Sequence, residues 1–128
     1  MKLLLDTHVL LWAGSLTGRL KSAARRLLND PENDLVFSAA SLWELVVKNA
    51  IGRDTFRLDV RAFRRTLVDN GYTELQITCE HALAVGSLPP IHRDPFDRLL
   101  VAQAIVEGIT LVTADPVLAK YPAPVHRI

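Results

Sequence analysis

Four acids occupy positions from which they could act together. Asp6 follows the apolar run 2–5, Glu44 lies shortly after 35–37, and Asp115 follows 110–113. Asp97 sits one turn into the apolar segment 95–107. Several carboxylates held close in a partly dry pocket cannot all stay ionised unless a positive charge lies among them, because like charges raise one another's pKa. A divalent cation supplies that charge. The donor set is rich in oxygen and lacks a Cys or His pair at metal-ligand spacing, which points to Mg²⁺ or Mn²⁺ ahead of Zn²⁺.

Each acid also has a local use. Ser41-Leu42-Trp43-Glu44 has the form of a capping box, in which Glu44 would hydrogen-bond back to its own helix start. Asp94 suits the N-cap of a helix opened by Pro95, with Asp97 in the first turn, where the helix dipole favours negative charge. Asp6 before Thr7 and His8, and Asp115 before Pro116, suit caps as well. Four independent caps explain less than one cluster, since Ser or Thr would serve a helix end equally well and all four acids fall on one edge of the inferred sheet.

The elements that must position them are read from apolar periodicity. Strands are expected at 2–5, 35–37, 73–77 and 110–113, with an edge strand at 124–128. Helices are expected after Asp6, at 19–28, from a hand-over at 38–41 to just before Gly52, and at 60–68, 80–87 and 95–107, with one or two turns after Asp115. The segment 95–107 is apolar nearly all round and therefore buried. Alternation of strands with helices predicts an α/β fold with a mainly parallel central sheet of four to five strands and helices on both faces. Ligands of such sheets lie beyond the carboxyl ends of the strands, where the acids fall.

At 128 residues, 49% hydrophobic and 23% charged, the chain has the size and composition of one globular domain, 1–128, with no linker to divide it. Its apolar runs are shorter than the ~20 residues of a membrane span. The N-terminus lacks the pattern of a secretory signal. The lone Cys79 excludes an internal disulfide and a Cys-x-x-Cys zinc site, fits a reducing cytoplasm, and is expected to be a small buried hydrophobe. His8, His81, His92 and His126 show neither an i, i+4 pair nor a partner serine, so zincin and hydrolase-triad chemistry find no support. Trp12 and Trp43 are expected to pack in the core or at a subunit interface.

Leu5-Asp6-Thr7-His8-Val9-Leu10-Leu11-Trp12, Ser38 through Ser41-Leu42-Trp43-Glu44-Leu45 with Lys48, Asp94-Pro95-Phe96-Asp97-Arg98-Leu99-Leu100 with Gln103-Ala104, and Thr113-Ala114-Asp115 with Tyr121 occur in that order. In this arrangement the chain resembles the PIN-domain ribonucleases, and within them the VapC-type toxins of type II toxin–antitoxin systems. The resemblance implies a PIN-like sheet and an acidic quartet, Asp6, Glu44, Asp97 and Asp115, that holds Mg²⁺ or Mn²⁺ and carries catalysis, with Asp6 as the central ligand. Asp94, Thr113 and Thr7 would support it. The implied reaction is hydrolysis of RNA phosphodiester bonds by metal-activated water. Implied partners are the RNA substrate, a cognate antitoxin that covers the acidic pocket, and a second copy in a homodimer. The chain departs from the family pattern at Pro116 and at Leu118, where a bulkier aromatic is common.

The formal charge of +1 conceals a contrast. Setting the quartet aside leaves 15 basic residues against 10 acidic ones, a frame of +5 around an acidic pit. Lys48, Arg93 and Arg98, close to the acids in sequence, are the candidates to meet RNA phosphates. Arg19, Lys21, Arg25, Arg26, Arg53, Arg57, Arg61, Arg64 and Arg65 are expected mostly on solvated helix faces. The alternative is a catalytically weak or inactive PIN-fold module that acts through protein or RNA binding, with the acids as caps. A phosphoacceptor receiver domain is disfavoured, because Asp6 lacks an acidic neighbour and no lysine promptly follows 110–113.

Overall fold

The chain alternates short strands with helices. The computed structural model describes residues 1–14, 20–51 and 58–128; Arg19, Gly52, Arg53 and Arg57 lie outside the described residues. In order, the elements are β1 (Lys2–Leu5), α1 (Thr7–Ala13), α2 (Ser22–Asn29), β2 (Asp34–Ser38), α3 (Ala39–Ala50) and α4 (Val60–Asp69). They continue with β3 (Thr73–Leu75), α5 (Cys79–Val85), α6 (Pro95–Glu107), β4 (Thr110–Thr113), a 3₁₀ turn at Leu118–Lys120 and β5 (Val125–Arg127). The sheet runs β3-β2-β1-β4-β5, and every neighbouring pair is parallel. All carboxyl ends therefore share one edge, with β1 at the centre between β2 and β4. The strand expected at 73–77 stops at Leu75.

Successive strand side chains point to opposite faces, and this alternation builds two cores. Leu3 and Leu5 join Phe37, Val112, Val9, Leu10, Leu45, Phe63 and Leu67 on one face. Leu4 joins Val36, Leu111, Leu100, Val101, Ala104, Leu118 and Tyr121 on the other. Helices α1 to α4 thus cover one side and α6 the other, as the run of three leucines requires. Leu4 is fully buried between α6 and the sheet. Leu4→Ala is expected to cost about 2–5 kcal/mol in chemical denaturation, the range for a deleted core leucine; a loss below about 1 kcal/mol would contradict this packing.

α6 runs as the sequence predicts, from Asp94 at its N-cap to Gly108 at its end. Gly108 adopts φ +65°, a left-handed cap that favours glycine. One expectation is corrected here. Cys79 is exposed at the start of α5 instead of buried. Of the two places expected for Trp43, the core is ruled out: it is 55% exposed on α3, where its ring meets Phe96 of α6 edge-on at 4.8 Å. Trp12 does pack, half-buried, against the first core.

Candidate metal centre

The site begins where β1 ends. The Asp6 backbone N–H still donates to Val112 O at 3.0 Å, so the sheet holds this residue although the strand has finished. Its Oδ1 accepts the Val9 N–H at 2.8 Å and caps α1, and its Oδ2 accepts from the Thr113 hydroxyl at the end of β4. Asp6 is thus a cap and a member of the acidic edge at once. Burial pushes its carboxyl above the ordinary carboxylate range, against the opposing pull of the Thr113 and Val9 hydrogen bonds.

Thr7 carries the connection to α3, its hydroxyl lying 2.7 Å from Glu44 Oε1 and 3.0 Å from Ser41 Oγ. The other Glu44 oxygen lies 2.8 Å from Lys48 Nζ one turn along. Glu44 is 2% exposed, so the ammonium and hydroxyl supply the partners that a buried carboxylate demands. The capping-box reading of Ser41 and Glu44 is corrected: α3 starts at Ala39, and Ser38 is its cap, accepting the Ala40 N–H at 3.0 Å. Ser41 and Glu44 therefore lie inside the helix, on the side that meets Thr7.

From the other direction come α6 and the loop before it. Asp94 Oδ1 accepts the N–H groups of Phe96 at 2.8 Å and Asp97 at 3.4 Å, the expected cap. Its own N–H donates to His92 Nδ1 at 3.0 Å. His92 Nε2 then lies 3.0 Å from Asp115 Oδ2 and 3.4 Å from Asp97 Oδ2. Asp115 also accepts the Val117 N–H at 2.8 Å, and its backbone N–H donates to Thr113 Oγ1 at 3.0 Å. One atom each of His92, Asp97 and Asp115 falls within 4.8 Å of the others.

Polar contacts link Glu44 to Thr7 and, from its chain neighbour Asp6, run on through Thr113, Asp115 and His92 to Asp97. The four acids named from sequence meet at one edge of the sheet, but not equivalently. Asp97 and Asp115 belong to the tightest group, but both oxygens of Asp115, like both of Asp6, serve hydrogen bonds within the chain. Among the described residues, the Asp97 carboxylate has only the 3.4 Å contact to His92. Burial, with Asp94, Glu44 and Asp6 nearby, pushes its carboxyl up to about 7. Asp115 goes the other way: burial acts to raise it, but the Val117 N–H and His92 outweigh that and hold it below the ordinary range. A crowded carboxylate short of donors, next to a fully ionised one, fits a hard divalent cation with oxygen ligands. Bound there, such an ion could activate water and neutralise phosphoryl charge.

Comparisons with known proteins identify the family. The chain matches the PIN domain family over residues 3–124. It belongs to the PIN domain family. Over 125 residues it is 33% identical to Ribonuclease VapC22 of Mycobacterium tuberculosis, with 95% of each chain covered. Among solved structures, the VapBC2 complex of Rickettsia felis, bound to a DNA fragment from its promoter, shares the fold at TM-score 0.73. That match has 16% identity and covers 100% of this chain and 99% of the other. The DNA-bound VapBC complex of Salmonella typhimurium shares it at TM-score 0.68 and 15% identity, covering 99% and 98%.

In this PIN domain the three candidate phosphate contacts differ in circumstance. Lys48 is 44% exposed while paired to Glu44. Arg93 is exposed and forms no ion pair among the described residues. Arg98 is committed to the chain itself, donating to Pro89 O at 3.1 Å, Val85 O at 3.2 Å and the Tyr121 hydroxyl at 3.2 Å. It therefore fastens the loop before α6. Arg98→Ala is expected to lower stability by about 1–3 kcal/mol in thermal denaturation, because two carbonyls and a hydroxyl lose a charged donor; an unchanged melting curve would refute that role. His92 is the residue that sequence reasoning missed. The available signal was its place two residues before the capping Asp94, in a loop leading to the acidic edge.

Proposed function

We propose that this PIN domain is a metal-dependent endoribonuclease, the VapC-type toxin of a toxin–antitoxin pair. It hydrolyses RNA phosphodiester bonds at the acidic edge of the sheet, with Mg²⁺ or Mn²⁺ held there. Asp97 and Asp115 are the nearest ligands, Asp6 and Glu44 complete the acidic wall, and Thr7, Thr113 and Asp94 hold them in place. The observation that carries this reading is Asp97, a half-buried carboxylate facing three other acids with, among the described residues, a single long contact to a donor. Such a group is costly for the fold and useful for a cation. Lys48 and Arg93, exposed beside the acids, meet the RNA backbone.

The similarity to Ribonuclease VapC22 supports the substrate class, and the VapBC complexes support neutralisation by a cognate antitoxin. The protein works as a one-domain homodimer in the cytoplasm. Among the described residues, no helix is long and apolar enough to cross a membrane.

The test is cleavage of a defined RNA by the purified chain with Mg²⁺ or Mn²⁺, with and without chelator. Cleavage that requires the ion and stops on chelation is expected. Cleavage indifferent to chelator would reject metal chemistry. Absence of cleavage at any ion concentration, together with tight antitoxin binding, would favour the inactive binding module.

A further inference from the structure

We infer that His92 serves the metal centre as a hydrogen-bond donor that positions Asp115 and Asp97, and not as a metal ligand; the inference rests on the metal-dependent reading above. Proximity alone suggests a third ligand, since Nε2 shares a 4.8 Å neighbourhood with oxygens of both acids. The direction of one hydrogen bond argues otherwise.

His92 Nδ1 accepts the backbone N–H of Asp94 at 3.0 Å. A neutral imidazole has one ring proton, so that proton sits on Nε2. For Nε2 to offer its lone pair to an ion, the proton must move to Nδ1, where it would point at the Asp94 N–H and set two donors against each other. Metal-bound histidines ordinarily give their second N–H to a carboxylate or carbonyl. Here the second nitrogen faces a donor, the opposite polarity.

The surroundings prevent an easy escape. Asp94 is fixed as the cap of α6 through Phe96 and Asp97. The His92 backbone N–H donates to the buried Tyr121 hydroxyl at 2.8 Å, which Arg98 also holds. The backbone of His92 is thus held by Tyr121 and its Nδ1 by Asp94, so its Nε2–H points at Asp115 at 3.0 Å and more loosely at Asp97 at 3.4 Å. With Val117 on its other oxygen, Asp115 keeps a fixed orientation, while among the described residues the Asp97 carboxylate has only the longer 3.4 Å contact to the same nitrogen. Ions that seek imidazole nitrogen gain no extra ligand, which keeps the site selective for hard cations.

The experiment is ¹H–¹⁵N correlation spectroscopy of the histidine rings, with His92 assigned through a His92→Gln variant and Mg²⁺ titrated to saturation. The expected result is a proton on Nε2 both without the ion and at saturation. In parallel titrations, His92→Gln, which returns an amide N–H near the position of Nε2, keeps Mg²⁺ affinity within about threefold, and His92→Phe lowers it about 10–100-fold. A proton that moves to Nδ1 at saturation would overturn the inference and leave the metal reading standing. Equal losses in the Gln and Phe variants would also overturn it. Failure of the wild-type chain to bind Mg²⁺ would overturn both.

Discussion

Replacing Asp97 with asparagine is expected to make the metal-free protein more stable while removing most of its cation binding. The Asp97 carboxyl is raised to about 7 by burial and by Asp94, Glu44 and Asp6, so its ionised form opposes folding. Between about pH 4 and 7 the folded protein keeps a proton on Asp97 that the unfolded chain has released. Stability of the metal-free protein therefore falls as pH rises through that window, the reverse of a salt-bridged carboxylate. Asparagine has nearly the same shape and no charge. At pH 8 the gain is expected to be about 1–3 kcal/mol, below the full value of the shift because the side chain retains some access to water. RNA cleavage and Mg²⁺ affinity should each fall at least about 100-fold in the same variant. Thermal denaturation with chelator, with and without the substitution, measures the first effect. A destabilised Asp97→Asn protein would mean that Asp97 is only a helix-start residue.

A second large effect is expected in how cation binding depends on pH. With Asp97 protonated below about 7, an ion must displace that proton, so binding releases about one proton per ion and weakens as pH falls. Apparent Mg²⁺ affinity should be about tenfold lower at pH 6 than at pH 8, and about a hundredfold lower at pH 5. Asp115 titrates too low to contribute over this range, since Val117 and His92 hold it ionised. Calorimetric titration in buffers of different ionisation enthalpy measures both affinity and released protons. Affinity unchanged from pH 8 to pH 5 would show that Asp97 is not among the ligands.

Much of the architecture was legible because it depends on local periodicity. Leu3, Leu4 and Leu5 in sequence read as a strand buried on both faces, and the structure splits them between two cores. Asp94, Pro95 and Gly108 mark the ends of α6 by backbone chemistry alone. The carboxyl edge of a parallel sheet then brings Asp6, Glu44, Asp97 and Asp115 to one side without further information.

Other features were hidden because they depend on contacts distant in sequence. Ser41 and Glu44 have capping-box spacing whether the helix begins at residue 39 or 42. Ser38, three residues earlier, is the true cap. Glu44 is instead held by Thr7, 37 residues away. His92 belongs to no motif, and only the fold brings Asp115 to its Nε2. The sequence also favoured Asp6 as the central ligand. Its position is central, yet Val9 and Thr113 already occupy its oxygens, and the acid left short of donors is Asp97. Spacing locates an acid; it does not count the donors around it.

Whether acids from separate strands and helices share one cation is decided by Mn²⁺ binding, followed by electron paramagnetic resonance in the wild-type chain and in Asp6→Asn, Asp97→Asn and Asp115→Asn. Saturable binding is expected in the wild type, weakened by every substitution and most by Asp97→Asn. Binding absent from the wild type, or equally strong in all four proteins, would contradict a shared cation.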